Sequence, residues 1–79
     1  MQEESKILLN RIAVLRAENK LTQKALAEKV DVSRQTIISL EKGKYKPSLT
    51  LAFELASVFN VTVEEVFQYV KKDQEEGNE

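Results

Sequence analysis

Apolar residues recur at one-turn spacing in several stretches of the chain and alternate in a last one, and this pattern predicts its elements. After Thr22, Leu26 and Val30 lie one turn apart. After Ser33, Ile37 and Leu40 share one stripe. Thr22 and Ser33 are good helix caps, and each is flanked by an apolar pair at the staple spacing, Leu21 with Leu26 and Val32 with Ile37. Asp31 and Val32 are then the whole connection, so two short helices meet at a tight turn. Upstream, Ile12 and Leu15 mark a helix over 11–19 that Asn10 can cap. Downstream, Ser48 to Phe59 places Ala52, Leu55, Ala56 and Phe59 on one face with Leu51 nearby, closing a core, and Asn60 can stop it. Thr62 with Glu65 forms a capping box for a short last helix, with Val61 and Val66 as its staple. Ile7-Leu8-Leu9 fits the first turn of a helix or a short strand. The alternating stretch from Phe67 to Lys72 could pair with residues 6–9 if these form a strand.

The helix after Ser33 has a face to spare. With Ile37 and Leu40 inward, Gln35, Ile38, Ser39 and Lys42 point away from the core, and Arg34 projects sideways from the first turn. Arginine and glutamine each offer a planar fork that makes two hydrogen bonds to a base edge, guanine and adenine respectively. On a short helix such a face is ordinarily just solvated. The turn before it and the loop after it give it more weight. Leu21 to Lys44, with Ser-Arg-Gln-Thr-Ile followed by Leu-Glu-Lys-Gly-Lys-Tyr-Lys-Pro-Ser-Leu, resembles the helix-turn-helix of the lambda Cro/repressor family, also called the xenobiotic-response-element family; the likeness covers about Ile7 to Tyr69.

The resemblance implies an all-α, compact five-helix DNA-binding domain whose second motif helix enters the major groove. Small members of the family pair both termini in a two-stranded sheet, which favours the strand for residues 6–9. The domain then spans 6–72, with 1–5 and 73–79 expected as disordered tails. One departure is Asp31, where the family usually has glycine in the turn; aspartate tolerates the left-handed conformation better than most residues, so a small stability cost and no change of fold are expected. Arg16 lies one turn beyond Ile12 and Glu41 one turn beyond Ile37. Opposite charges at the ends of two apolar stripes are costly singly and tolerable together, and the family has such a pair, so Arg16 and Glu41 are expected as a structural ion pair orienting the recognition helix. Gly43 should end that helix as a left-handed cap.

Charge sharpens the picture. The net charge is −1, yet residues 6–46 hold ten basic and four acidic side chains, while residues 47–79 hold two basic and seven acidic. The basic part is the part that contains the motif, as an electrostatic footprint for nucleic acid requires. The chain has no cysteine and no histidine, which removes disulfides, thiolate metal sites and the commonest general base, so neither an enzyme nor a metal or cofactor is expected. No apolar run approaches a membrane span or signal peptide, so the expected location is the cytoplasm, with a bacterial or phage origin suggested by the resemblance.

The expectation is a sequence-specific transcriptional regulator, most simply a homodimeric repressor occupying a palindromic operator in double-stranded DNA. Arg34, Gln35 and Ser39 would contact bases, with Ser33, Thr36 and Ile38 close to the DNA. Lys42, Lys44 and Lys46 would meet phosphates, as would Gln23 by resemblance. The C-terminal quarter carries more apolar residues than one small core needs, which points to Val63, Val66, Phe67 and Tyr69 as a subunit interface. Activation stays open, as does an antitoxin or adaptor whose main partner is another protein. No small-molecule ligand is evident.

Overall fold

A computed structural model describes residues 5–72 of the chain. The elements run β1 (Lys6–Asn10), α1 (Ile12–Glu18), α2 (Gln23–Lys29), α3 (Arg34–Glu41), α4 (Leu49–Phe59), α5 (Val63–Val66) and β2 (Phe67–Lys71). Residues 6–9 thus take the strand alternative. β1 and β2 form an antiparallel two-stranded sheet in which Leu8 faces Tyr69 and Asn10 faces Phe67. The ladder extends past Lys6, because the Lys72 amide donates to the Ser5 carbonyl at 2.9 Å. Ser5, expected in the N-terminal tail, is therefore engaged by the sheet; the rest of the expected tails, 1–4 and 73–79, lies outside the described residues.

Helix starts follow the side-chain chemistry read above. Thr22, Ser33, Ser48 and Thr62 each accept a hydrogen bond from the backbone amide three residues on, at Ala25, Thr36, Leu51 and Glu65. Thr62 and Glu65 complete the capping box, which gives the four-residue α5 a start that its length alone would not sustain. The first helix begins one residue later than expected. Its N-cap position is Arg11, which makes no side-chain cap, and not Asn10 as expected; Asn10, the last residue of β1, still accepts from the Ile12 amide through Oδ1 at 3.0 Å, and its Nδ2 donates to the Leu40 carbonyl at 2.9 Å. One side chain thus joins the start of α1 to the last turn of α3.

The ends of α1 to α4 share one device. Lys20, Asp31, Gly43 and Asn60 all have φ between 57° and 75°. In each case the next amide donates to a carbonyl five residues back: Leu21 to Arg16, Val32 to Ala27, Lys44 to Ser39 and Val61 to Ala56. This is the Schellman arrangement, which satisfies carbonyls that a helix end would leave bare. At Gly43 an added Cβ would meet nothing within 4 Å, so its backbone angle and not its small size is what the site uses. Asp31 adopts the left-handed conformation with φ 59°, so the departure from glycine leaves the turn intact.

Every helix sends a residue to the centre. Ile12, Leu26, Ile37, Leu40, Leu55 and Val66 are fully buried, and Leu15, Ala27, Val30, Leu51, Ala52, Ala56, Phe59 and Phe67 surround them. Val66 and Phe67, expected at a subunit interface, are therefore core residues. Val66 ends α5 against α1, where its carbonyl accepts from the Arg11 amide at 2.9 Å, and Phe67 turns inward as the first residue of β2. No helix among the described residues is long and apolar enough to cross a membrane.

At the edge of this core the Arg16 and Glu41 side chains meet. Arg16 Nε donates to Glu41 Oε2 at 2.8 Å and Nη2 reaches Oε1 at 3.4 Å, while Nη1 donates to the Leu21 carbonyl at 3.1 Å. The two side chains are 21% and 11% exposed, short of full burial. Removing either partner leaves a poorly solvated charge and should cost about 2–3 kcal/mol, below the ~3–5 of a fully buried pair. Replacing both with apolar residues should recover much of that loss. Thermal unfolding of the singles and the double checks this: small additive losses would show an ordinary surface pair. Asp31→Gly should raise stability by about 0.5–1 kcal/mol, relief of left-handed strain outweighing the added freedom of the unfolded chain, and a lowered melting temperature would contradict it.

Candidate nucleic-acid interface

The Ser33 cap and the inward stripe of Ile37 and Leu40 fix the rotation of α3 about its own axis, which determines what the helix shows to solvent. Arg34, Gln35 and Lys42 are exposed, and Thr36, Ile38 and Ser39 are half-buried beside them. Gln35 Nε2 lies 3.4 Å from Ser39 Oγ, a long hydrogen bond one turn along the same face. The Ser33 hydroxyl accepts from the Thr36 amide and lies 3.0 Å from the Thr36 hydroxyl. Ser33 and Thr36 are thus partly engaged in building the helix start. The forks of Arg34 and Gln35 are held in place by much less: one weak bond from Gln35 and, among the described residues, no hydrogen bond from Arg34.

Tilt is set elsewhere. The α2–α3 turn holds the two motif helices in close contact, Asn10 holds the Leu40 carbonyl, and Glu41 is gripped from two sides. Besides Arg16, Gln23 at the start of α2 donates from Nε2 to Glu41 Oε1 at 3.1 Å. Gln23, expected at a phosphate, therefore has one amide hydrogen committed inside the fold and one left over. The consequence for charge is direct. From Val32 to Lys46 the single acidic residue is Glu41, and its carboxylate is turned inward onto a guanidinium and an amide.

Beyond Gly43 the loop presents Lys44, Tyr45 and Lys46, all exposed, so that with Lys42 three ammonium groups follow the end of α3. Sequence reasoning brought all of these residues to one region, and the fold keeps them there. It missed Asn10 as a brace on α3, because a residue that bonds to one helix start gives no local sign of a second partner thirty positions away. It also missed Leu49 and Phe53 on the outside of α4, although their spacing of one turn off the buried stripe was a usable signal. Of the residues expected at a subunit contact, Val63 is half-buried and Tyr69 is 66% exposed, with the Lys6 ammonium 5.4 Å from the centre of its ring. Among the described residues no group of three or more acidic side chains could hold a metal ion, and the chain has neither cysteine nor histidine.

Comparison with known proteins agrees with this geometry. Residues 12–66 match the family HTH_3, described as helix-turn-helix. An uncharacterized HTH-type transcriptional regulator of Methanocaldococcus jannaschii is 55% identical over 60 residues, covering 76% of this chain and 91% of that protein. The immunity repressor protein of Bacillus phage phi105 is 35% identical over 71 residues, which is 86% of this chain but 49% of the phage protein. Among solved structures, the restriction-modification controller protein C.AhdI of Aeromonas hydrophila superimposes with a TM-score of 0.64 at 26% identity, covering 68% of this chain and 78% of that one. The chain is a member of the HTH_3 helix-turn-helix family of DNA-binding transcriptional regulators, which are not enzymes.

Proposed function

We propose that the protein is a repressor that binds a palindromic operator as a homodimer, acting in the cytoplasm by occupying the site. The observation that carries this reading is the composition of one continuous surface. α3 offers two base-reading forks at its start and three lysines at and beyond its end, and the acidic residue between them is neutralised from within. A repressor needs no chemistry of its own, only competition for a site. The likeness to a phage immunity repressor supports that sign of regulation.

In this reading Arg34, Gln35 and Ser39 contact base edges in the major groove, with Ser33, Thr36 and Ile38 close to the DNA. Lys42, Lys44 and Lys46 meet phosphates, and Gln23 adds its second amide hydrogen while the first holds Glu41. One recognition helix covers only a few base pairs. Two copies placed about 34 Å apart, on successive major-groove faces, give a useful site length, and two-fold symmetry then makes the site a palindrome.

Selection of bound sequences from a random DNA pool tests the proposal: an enriched palindrome is expected, and no enrichment would overturn it. With the site in hand, Arg34→Ala or Gln35→Ala should weaken binding by about 1–3 kcal/mol and relax preference at one position per half-site. Equal losses on selected and random DNA would remove these residues from base reading. Lys44→Ala and Lys46→Ala should weaken both DNAs alike and reduce the slope of log affinity against log salt by about one each. An unchanged slope would make them solvated lysines.

A further inference from the structure

The sheet turns one face toward the loop that follows α3. Residues two apart along a strand share a face, so Lys6 and Leu8 from β1 stand beside Phe67 and Tyr69 from β2. Between this face and the loop lies a cavity of about 180 Å³. Leu8, Leu40 and Phe67, buried or half-buried, form its inner wall, and the exposed Lys6, Tyr45, Lys46 and Tyr69 form its mouth. Asn10 ties the sheet to the Leu40 carbonyl, so the mouth has a set position relative to the end of the recognition helix. The Lys6 ammonium lies 5.4 Å from the centre of the Tyr69 ring, a cation–π contact that narrows the freedom of an otherwise mobile side chain.

Charge and size decide what the mouth receives. Two ammonium groups and two phenol hydroxyls all donate to an anion. No acidic side chain lines the cavity, and among the described residues none pairs with Lys6 or Lys46. Pockets for small molecules ordinarily enclose roughly 300–1,000 Å³, so this one is small for a separate effector. A single phosphate with part of its sugar fits, oxygens at the mouth and carbons against the apolar wall. Lys46 stands at one side of that mouth and belongs to the lysine loop, so a DNA backbone that reaches Lys46 comes within range of Lys6.

We propose that Lys6, held by Tyr69, joins Tyr45 and Lys46 in binding a backbone phosphate that flanks the half-site read by α3, which makes the sheet a second DNA contact outside the helix-turn-helix. The proposal rests on the DNA-binding reading above. It assigns Tyr69, expected at a subunit contact, to the DNA side of the molecule. Lys6 and Tyr69 lie outside residues 12–66, so the contact is carried in part by segments beyond the family match. A phosphate held in this way fixes the register of the domain on the duplex and carries no base preference of its own.

The test compares the wild-type chain with Lys6→Ala, Lys6→Arg, Tyr69→Leu and the control Lys29→Ala, whose lysine lies elsewhere, against Asn19, Leu21 and Val58. Each is bound to a duplex that carries the selected site with a helical turn of flanking DNA on both sides, and to one that ends at the edges of the site. On the long duplex Lys6→Ala should bind about two- to fivefold more weakly than the wild type, the range of one exposed ion pair, and reduce the slope of log affinity against log salt by about one per bound copy. Lys6→Arg should keep both. Removing the flanks should weaken the wild type and Lys29→Ala by the same factor and Lys6→Ala by a smaller one, because its contact is already gone. Tyr69→Leu leaves the charge and releases the lysine, so it should lose part of the affinity and keep the slope. All four variants should unfold at the wild-type temperature, since the altered side chains are exposed. An unchanged slope in Lys6→Ala, or an equal flank effect in Lys6→Ala and the wild type, overturns the proposal and leaves the base readers of α3 standing. If the pool yields no site, the slope is measured on a random duplex, where a phosphate contact counts equally: a drop of about one in Lys6→Ala supports the sheet contact even with the operator reading gone, and no drop overturns it.

Discussion

Three helices converge on the carboxylate of Glu41. Arg16 comes from α1, Gln23 from α2, and Glu41 itself ends α3. At 11% exposure that carboxylate has little water to solvate it, so its partners are required and not optional. The core alone cannot supply the same definition. Apolar contacts are non-directional and tolerate small rotations, whereas a guanidinium fork and an amide reaching one carboxylate restrict both the tilt and the position of α3. Asn10 adds a second restraint at the neighbouring Leu40 carbonyl. The last turn of the recognition helix is thus braced by polar side chains from β1, α1 and α2, while its first turn, which carries Arg34 and Gln35, is set by the Ser33 cap and the turn from α2.

Much of this was legible in the sequence because it depends on chemistry within five residues. Serine or threonine three positions before an amide is a local signal, and Thr22, Ser33, Ser48 and Thr62 cap where the spacing put them; Gly43 and Asn60 likewise take the left-handed conformation at expected helix ends, whereas Lys20 gave no such sign. The Arg16–Glu41 pair was legible for a different reason: each charge ended an apolar stripe, and the family that the sequence resembles has such a pair. The surface of the C-terminal quarter was not legible. Val66, Phe67, Leu49 and Phe53 are alike in hydropathy, and which of them is covered depends on how α4, α5 and the sheet pack, a long-range matter. The chain turns at Phe67 directly from helix to strand, and that switch carries Val66 and Phe67 inward while Leu49 and Phe53 stay outside.

Charge is arranged by the same economy. A chain of net charge −1 carries a basic segment from Val32 to Lys46 because seven of its acidic residues follow residue 46 in the sequence and because the single one within that segment, Glu41, is turned inward. Association with a polyanion then depends on the local field and not on the total.

The side chains of Arg34 and Gln35 are exposed and contribute little to the packing of α3. Arg34 and Gln35 touch the rest of the molecule through one long bond to Ser39, while the core and the Glu41 network lie on the opposite side of the helix. If Arg34 and Gln35 read bases as proposed, sequence preference and stability rest largely on different residues. A lineage of such proteins can exchange the residues that read bases without approaching the threshold below which the fold fails, so new specificities are reachable by single substitutions, each viable on its own.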